Sequence, residues 1–208
     1  MKRIYLIRHG ESEANIAHAF QGSTGPLSSH GKDQAVFLAH RIERLPIDII
    51  LASPYERTRE TTEVILKHLE RPVEWRDDIV EKRHPSVMVG MQGDDPRALA
   101  IRAEIMAHGD DESYRHSDEE VFSEFRDRAL GFLAYLESRS EEHILVVSHG
   151  GFMRMLLATI IFGEKVTHAE FNHIFKVFRI KNTGITALDY MPEYGWLLQT
   201  WNDHAHLN

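Results

Sequence analysis

At 208 residues, of which 42% are hydrophobic, the chain is long enough for one sizeable core and short for two, so we expect a single domain over residues 1–208. Its formal net charge of -8 does not favour a nucleic-acid partner, which usually requires a basic stripe on the protein. The sequence has no cysteine, which excludes disulfides, thiol nucleophiles and thiolate metal sites. It also has no apolar run near the roughly 18 residues of a membrane span, so we expect a cytoplasmic protein without membrane contact.

The first predicted strand covers residues 4–7 and runs directly into Arg8-His9-Gly10. A short run of aliphatic and β-branched residues is typical of a buried strand. A glycine-rich polar stretch over residues 10–31 follows the strand. Apolar residues then recur at helical spacing until Pro46 ends the predicted helix, and these residues are Ala35, Leu38, Ala39, Ile42 and Leu45.

A second strand and helix follow in the same order. Residues 47–52 form an apolar run that predicts a strand. The sequence Ser53-Pro54-Tyr55-Glu56 then predicts the start of a helix, with serine as the capping residue and proline at the first helical position. Arg57 would lie in the first turn of this helix, where unpaired backbone N–H groups favour an anion. Residues 72–75 predict a third strand.

The middle of the chain, over residues 84–116, differs from this alternation. It predicts only one helix, over residues 96–107, and mixes charges of both signs. Prolines and glycines interrupt the segment at Pro85, Gly90, Gly93, Pro96 and Gly109. We therefore expect a small insertion over the edge of the sheet and not a separate domain.

The second half of the chain returns to alternating helices and strands. Residues 117–120, Ser-Asp-Glu-Glu, predict a capping box at the start of a long helix. A fourth strand over residues 144–147 leads into His149-Gly150 and a further apolar helix. Three closing strands are predicted over residues 175–180, 183–190 and 197–201. The apolar face of the long helix contains Phe122, Phe125, Ala129, Phe132 and Leu136.

This alternation predicts an α/β fold, a three-layer sandwich with a mostly parallel central sheet, helices on both faces and a small insertion over the active site. Ligands of such sheets bind at the carboxyl ends of the strands, so His9 and His149 are expected to meet over one pocket. A neutral imidazole can attack phosphorus when its other ring nitrogen keeps its proton. Arg8, Arg57 and His149 would then surround the phosphoryl group with positive charge while His9 attacks it.

Three groups of residues follow one another in a specific order along the chain. They are Arg8-His9-Gly10-Glu11-Ser12 with Asn15 and Gln21-Gly22, then Ser53-Pro54 with Arg57-Thr58, and then Ser148-His149-Gly150-Gly151. Together they resemble the histidine phosphatase superfamily, specifically its phosphoglycerate-mutase-like branch. The resemblance covers nearly the whole chain, including the turn Asn182-Thr183-Gly184-Ile185.

The resemblance implies a role for each matched residue. His9 becomes phosphorylated, Arg8, Arg57 and His149 bind the phosphate, and water hydrolyses the phosphohistidine. Asn15, Gln21 and Gly22 match positions that line the phosphate pocket. The resemblance implies no metal and no organic cofactor for a phosphatase of this kind.

The leaving alkoxide needs a proton, which a carboxylic acid can supply. Members of the family usually carry a glutamate shortly after the third strand, and Glu81 matches that place as general acid. The family's common glycine four residues later is Pro85 in this chain. The proton could therefore also come from the substrate or from water.

The leading hypothesis is a phosphomonoester hydrolase that acts on a small phosphorylated substrate. A phosphoglycerate mutase is the first alternative, but it would need additional paired basic residues in the insertion, where Arg97, Arg102 and Arg115 are isolated in the sequence. A phosphate-binding or interaction module without turnover is the second alternative. A metal-dependent hydrolase is the third, suggested only by the 14 histidines. The predicted helices and an edge strand are compatible with a homodimer.

Overall fold

The computed structural model describes residues 1–111 and 113–207, so one residue of the predicted insertion and the last residue of the chain lie outside it. The strands are β1 Lys2–Arg8, β2 Ile49–Ala52, β3 Val73–Trp75, β4 His143–Ser148, β5 Ile185–Met191 and β6 Gly195–Asp203. The helices are α1 Glu13–Ile16, α2 Ser29–Ile42, α3 Glu56–Leu66, α4 Pro96–Ala107, α5 Phe122–Ser138, α6 Gly150–Phe162 and α7 His168–Val177. Short 3-10 turns lie at Asp77–Ile79, Ser86–Met88 and Ala205–Leu207.

The six strands form one sheet in the order β3-β2-β4-β1-β5-β6. β1 to β4 are parallel to one another, whereas β5 is antiparallel to both β1 and β6. The predicted α/β fold with a mostly parallel central sheet is confirmed. Because β1 and β4 are parallel neighbours, the residues that follow them leave the sheet side by side.

The parallel strands bury both faces, and alternate residues of each strand face opposite layers. Ile4 and Leu6 of β1 pack in the cluster that contains α5 and α6. Tyr5 and Ile7 of the same strand pack in the cluster that contains α2 and Ile65 of α3. Helices therefore cover both faces of the sheet, which gives the three layers predicted from the sequence.

The predicted closing strand over residues 175–180 is wrong, because most of this segment belongs to α7 or to the turn after it. Thr167 and Glu170 form a capping box in which the threonine hydroxyl accepts from the Glu170 N–H at 3.2 Å and the carboxylate accepts from the Thr167 N–H at 2.8 Å. Phe171 and Ile174, three residues apart, bury one face of this helix. The capping box and the buried face stabilise a helix here, although residues 175–180 are largely apolar.

Two predicted helix starts are also wrong. α3 begins at Glu56 with Tyr55 as its N-cap, and the hydroxyl of Ser53 instead lies 2.8 Å from Nε2 of His149. α5 begins at Phe122 and not at residues 117–120, because the Glu119 carboxylate accepts backbone N–H bonds in a turn before the helix. The sequence analysis also missed the short helix α1, which lies inside the stretch predicted as glycine-rich and polar.

The remaining predicted elements lie close to their expected positions. α4 begins and ends at the residues predicted for the helix of the insertion, and β5 and β6 correspond to the other two closing strands. Within the two described ranges, no helix combines the length and apolar character that crossing a bilayer requires.

Candidate active site

The two predicted histidines lie next to each other at the carboxyl ends of β1 and β4. The His9 N–H donates to the carbonyl of Ser148 at 3.0 Å, which extends the pairing of the two strands by one residue. The centroids of the His9 and His149 rings are 5.3 Å apart, and both residues are buried. Histidines that are 140 positions apart in sequence therefore share one site.

Hydrogen bonds define which nitrogen of His9 carries its proton. Nδ1 lies 2.7 Å from the carbonyl oxygen of Gly10, which can only accept, so Nδ1 is the protonated nitrogen. Nε2 accepts from Nε of Arg57 at 3.2 Å and therefore carries the lone pair. Burial, together with the charges of Arg57 and Arg8, lowers the pKa of His9 well below its usual value. The imidazole is thus held neutral with a lone pair on Nε2.

Two buried or partly buried arginines flank the histidines. Arg57 lies in the first turn of α3, and its NH1 group donates to the carbonyl of Gly22 at 2.9 Å. Arg8 donates from NH1 to the carbonyl of Ile180 at 2.9 Å, and its buried Nε finds no acceptor among the described residues. Burial lowers the pKa of Arg57 to about 10, which still leaves it charged at neutral pH. Positive charge without a carboxylate bound to it favours an anion at this edge.

His149 has a different set of neighbours. Its Nε2 lies 2.8 Å from the hydroxyl of Ser53, and the ring of Tyr55 packs edge-on at 5.2 Å between centroids. Its buried Nδ1 has no hydrogen-bond partner in the described part of the chain. Burial and the charge of Arg57 lower the pKa of His149 well below its usual value. A buried ring nitrogen without a partner is a position that a ligand would satisfy.

Asn15 joins the site through its carbonyl oxygen Oδ1. This oxygen accepts from Arg8 at 3.4 Å and from the side chain of Asn182 at 3.2 Å. Asn182 also donates to the backbone carbonyl of His9 at 2.9 Å. Asn182 was cited in the sequence analysis only as part of a turn, and its contacts place it at the site.

Gln21 and Gly22 lie in the loop that follows α1. The Gln21 side chain accepts from Ser12 at 3.1 Å and donates to the carbonyl of Gly25 at 3.3 Å, so its polar atoms hold the loop. Gly22 contributes its carbonyl oxygen to Arg57. The structure thus brings Gly22 to the arginine, whereas the Gln21 amide is already engaged by the loop. A phosphate contact from either residue stays a prediction.

Glu81 lies beside the N-terminus of α6, shortly after the 3-10 turn Asp77–Ile79. Its Oε2 accepts from the Gly151 N–H at 2.9 Å, and its Oε1 accepts from the N–H groups of Phe152 and Lys82, each at 3.0 Å. The Ser148 hydroxyl donates to the carbonyl of Ile79 at 2.7 Å and holds the turn against β4. Both carboxylate oxygens therefore bind backbone donors in this structure.

Comparisons with known proteins agree on the family. The sequence profile of the Histidine phosphatase superfamily (branch 1) matches residues 4–204. The chain is 30% identical to a probable phosphoglycerate mutase, GpmB, of Citrobacter koseri over 221 residues, covering 100% of this chain and 96% of the relative. It is 25% identical to an uncharacterized phosphatase, PhoE, of Bacillus subtilis over 210 residues, covering 100% and 98%. The alpha-ribazole phosphatase from Shigella flexneri is 26% identical, with a TM-score of 0.77 and coverage of 98% of this chain and 97% of that one.

Proposed function

The chain belongs to the histidine phosphatase superfamily, and from this premise we propose that it is a phosphomonoester hydrolase that acts through a phosphohistidine on His9. The observation that carries the proposal is the orientation of His9, whose Nδ1 is bonded to the Gly10 carbonyl while Nε2 keeps a lone pair. An imidazole held in this tautomer is a neutral nucleophile. The substrate is a small phosphorylated molecule, and turnover needs no metal ion.

The reaction proceeds in two displacements at phosphorus. In the first, the lone pair of His9 Nε2 forms the N–P bond, and the P–O bond to the leaving group breaks with its electron pair on oxygen. The incoming phosphoryl group replaces the contact between Arg57 Nε and His9 Nε2. In the second, water attacks phosphorus and gives a proton to the Glu81 carboxylate, the N–P bond breaks with its electron pair on Nε2, and inorganic phosphate leaves. His9 regains its original tautomer.

Arg8, Arg57 and His149 stabilise the negative charge that spreads over the phosphoryl oxygens. If the Ser53 hydroxyl donates to Nε2 of His149, the ring proton lies on Nδ1, which has no partner among the described residues. His149 would then donate a hydrogen bond from Nδ1 to a phosphoryl oxygen. Asn15 stands beside Arg8 and completes the polar lining, with Gln21 and Gly22 on the adjoining loop.

Glu81 is the proposed proton donor for the leaving oxygen. Its two oxygens accept three backbone N–H bonds in this structure. Proton donation therefore requires the carboxyl group to turn one oxygen away from the N-terminus of α6 and toward the leaving group. Turning Oε2 away would break its bond to the Gly151 N–H, while Oε1 could keep its bonds to the N–H groups of Phe152 and Lys82.

Replacing the nucleophile tests the proposal directly. We expect His9→Ala to reduce kcat/KM for an aryl phosphate by roughly 10⁴-fold or more, because no other group supplies the attacking lone pair. The measurement is steady-state hydrolysis of para-nitrophenyl phosphate. The exposed His30 offers a matched control, and His30→Ala should keep full activity.

Two further measurements separate the alternatives. A phosphohistidine trapped in the wild-type protein, acid-labile and missing from His9→Ala, would exclude a binding module without turnover. A linked assay with 3-phosphoglycerate and its bisphosphate would detect a mutase. Hydrolysis that persists undiminished in His9→Ala would contradict the proposed function.

A further inference from the structure

A cavity of about 230 Å³ begins at Glu81 and Gly151 and extends away from the sheet between four segments of the chain. Its walls come from residues 81–88, from α4, from Phe125 of α5 and from α7. Glu81 is the proposed proton donor, so the space beyond it is where the leaving group of a phosphate ester would lie. The inference below rests on the proposed function and specifies the chemistry of that leaving group.

The floor and one wall of the cavity are apolar. Met88 and Phe125 are fully buried, and Phe171 packs against Phe125 with ring centroids 5.8 Å apart. Phe175 follows on the next turn of α7, 6.0 Å from Phe171. Such a wall gains free energy by burying an apolar or aromatic body, and gains little from a small polar leaving group. This lining favours a larger leaving group than glycerate.

The acidic residues of the cavity are already bound to backbone donors. Glu81 accepts from three N–H groups, as described above. Glu119 is buried, and its carboxylate accepts from the N–H groups of His116 at 2.7 Å and Ser117 at 2.8 Å. Neither carboxylate forms a close ion pair with the described cations of the cavity wall, although the charges of both act on Lys82 at longer range.

The cations that line the cavity differ from its carboxylates, because they have no side-chain hydrogen bond among the described residues. Lys82, Arg83 and Arg102 all line the cavity, and in the described ranges none has a side-chain hydrogen bond or ion pair. Lys82 is partly buried, with its ammonium group 5.9 Å from the centroid of Phe125. Arg97, on the same helix as Arg102, pairs with Asp95 at 2.7 Å, and Arg115 pairs with Glu124. The arginines of this region thus pair with carboxylates except where they face the cavity.

We propose that this cavity binds a leaving group with an apolar body and a second anionic group, and that Lys82 and Arg102 hold that anion. Burial lowers the pKa of the Lys82 ammonium while the charges of Glu120, Glu119 and Glu81 raise it, and an anion bound close to the ammonium would add to their effect. A carboxylate or a second phosphate would satisfy the same cations. The natural substrate is accordingly a phosphate monoester that carries a further acidic group across a hydrophobic spacer.

Binding of a matched series of benzylphosphonates, measured by calorimetry, tests this without turnover. The para position carries hydrogen, a carboxylate or a phosphonomethyl group. We expect the two anionic compounds to bind about tenfold or more tightly than the parent compound, since hydrogen bonds to charged groups are the stronger kind. The carboxylate and phosphonomethyl arms show which anion fits the cations better.

Substitutions assign the effect to named cations. Lys82→Met keeps the length of the side chain and removes its charge, and we expect the ratio of affinities between the anionic and parent compounds to fall toward one. Arg102→Gln should reduce the same ratio. Arg97→Gln, on the same helix but paired with Asp95, is the control and should keep the wild-type ratio. Circular dichroism of each variant verifies the fold.

The outcomes separate this inference from the proposed function. Equal affinities across the series in the wild-type protein, or an affinity ratio that survives Lys82→Met and Arg102→Gln, would overturn the inference while leaving hydrolysis of aryl phosphates intact. Hydrolysis that persists undiminished in His9→Ala would overturn the proposed function, even if the anionic compounds still bound more tightly.

Discussion

His9 and His149 occupy equivalent positions, one residue beyond neighbouring parallel strands, yet their hydrogen bonds give them different chemistry. His9 donates from Nδ1 to a backbone carbonyl, which leaves the lone pair on Nε2 for the proposed attack on phosphorus. His149 has Nε2 beside a hydroxyl and Nδ1 without a partner in the described chain, which suits a donor to a bound anion. The neighbouring hydrogen-bond partners, and not the imidazoles themselves, distinguish the two residues.

Ser53 is therefore expected to position His149. Ser53→Ala removes the hydroxyl 2.8 Å from Nε2, so that the ring can place its proton on either nitrogen. We expect kcat/KM for para-nitrophenyl phosphate to fall about tenfold, and inhibition by vanadate to weaken in parallel, because a buried hydrogen bond is lost. Ser53→Thr, which keeps a hydroxyl, should restore most of both.

The exposed Ser140 provides the control, and Ser140→Ala should have wild-type kinetics. If Ser53→Ala changed only the thermal stability and neither kcat/KM nor vanadate inhibition, the hydroxyl would have no positioning role.

The sequence predicts that His9 and His149 meet, but not that Ser53 contacts His149. Each histidine follows an apolar strand, and the repeated strand-His-Gly pattern can be read locally. Ser53 also carries a local pattern, since serine before proline and glutamate is typical of a helix cap. Its partner His149 lies 96 positions away, and no local pattern contains that contact. The same holds for Asn182, which reaches the carbonyl of His9 from the far end of the chain.

At the level of elements, the N-terminus of α6 connects the phosphate site to the cavity. Gly151 lies in the first turn of this helix, and a Cβ atom placed there would lie 2.4 Å from Oε1 of Glu81. The missing side chain is what allows the Glu81 carboxylate to reach the backbone N–H groups of α6. One glycine thus sets the position of the proposed proton donor.

Gly151→Ala is expected to displace Glu81 and to reduce kcat for an alkyl phosphate more than for para-nitrophenyl phosphate. The alkoxide is a poor leaving group that needs a proton, whereas nitrophenolate leaves without one. Gly131→Ala in α5 is a matched control, because no atom lies within 4 Å of its added Cβ. That control should stabilise the protein by about 0.5 to 1 kcal/mol, as alanine favours a helix interior. Equal losses on both substrates would contradict the role of Gly151 in placing a proton donor.

A helix or strand could be predicted where a single local sequence signal determines it. Pro96 at the first position and an uninterrupted run of helix-forming residues fix α4, and its predicted bounds are those observed. The strand predicted over residues 175–180 was wrong because it rested on their apolar composition alone. The capping box at Thr167, eight residues earlier, had already committed the chain to a helix.

At the scale of the whole molecule, the mostly parallel sheet between two helical layers could be expected from the sequence, but the order of its strands and the cavity could not. Alternation of apolar strands and amphipathic helices is sufficient to predict a sheet with two covered faces. The cavity draws on four segments, and the sequence analysis read Arg102 as one of three isolated arginines. Two of those arginines pair with neighbouring carboxylates, and only packing shows that the third lines the same cavity as Lys82.

Burying two neutral histidines beside two arginines makes the stability of the whole molecule depend on pH. Burial lowers the pKa of both His9 and His149 in the folded state, whereas the unfolded chain protonates near pH 6.5. Below that pH the unfolded state binds more protons than the folded state, so acidification favours unfolding. Each such histidine contributes about 1.4 kcal/mol per pH unit within this window.

We therefore expect the free energy of unfolding, measured in urea, to be nearly constant from pH 8 to 7 and to fall by at least about 1.4 kcal/mol between pH 6 and 5. Burial also lowers the pKa of His84 and of His206 to about 4, so both add to the loss of stability in this window, whereas the Asp203 carboxyl, with a pKa of about 2, acts at more acidic pH. His149→Gln removes one titrating group and should reduce the slope by about 1.4 kcal/mol per pH unit. A slope between pH 6 and 5 that stayed unchanged in His149→Gln would contradict a lowered pKa of His149 in the folded protein.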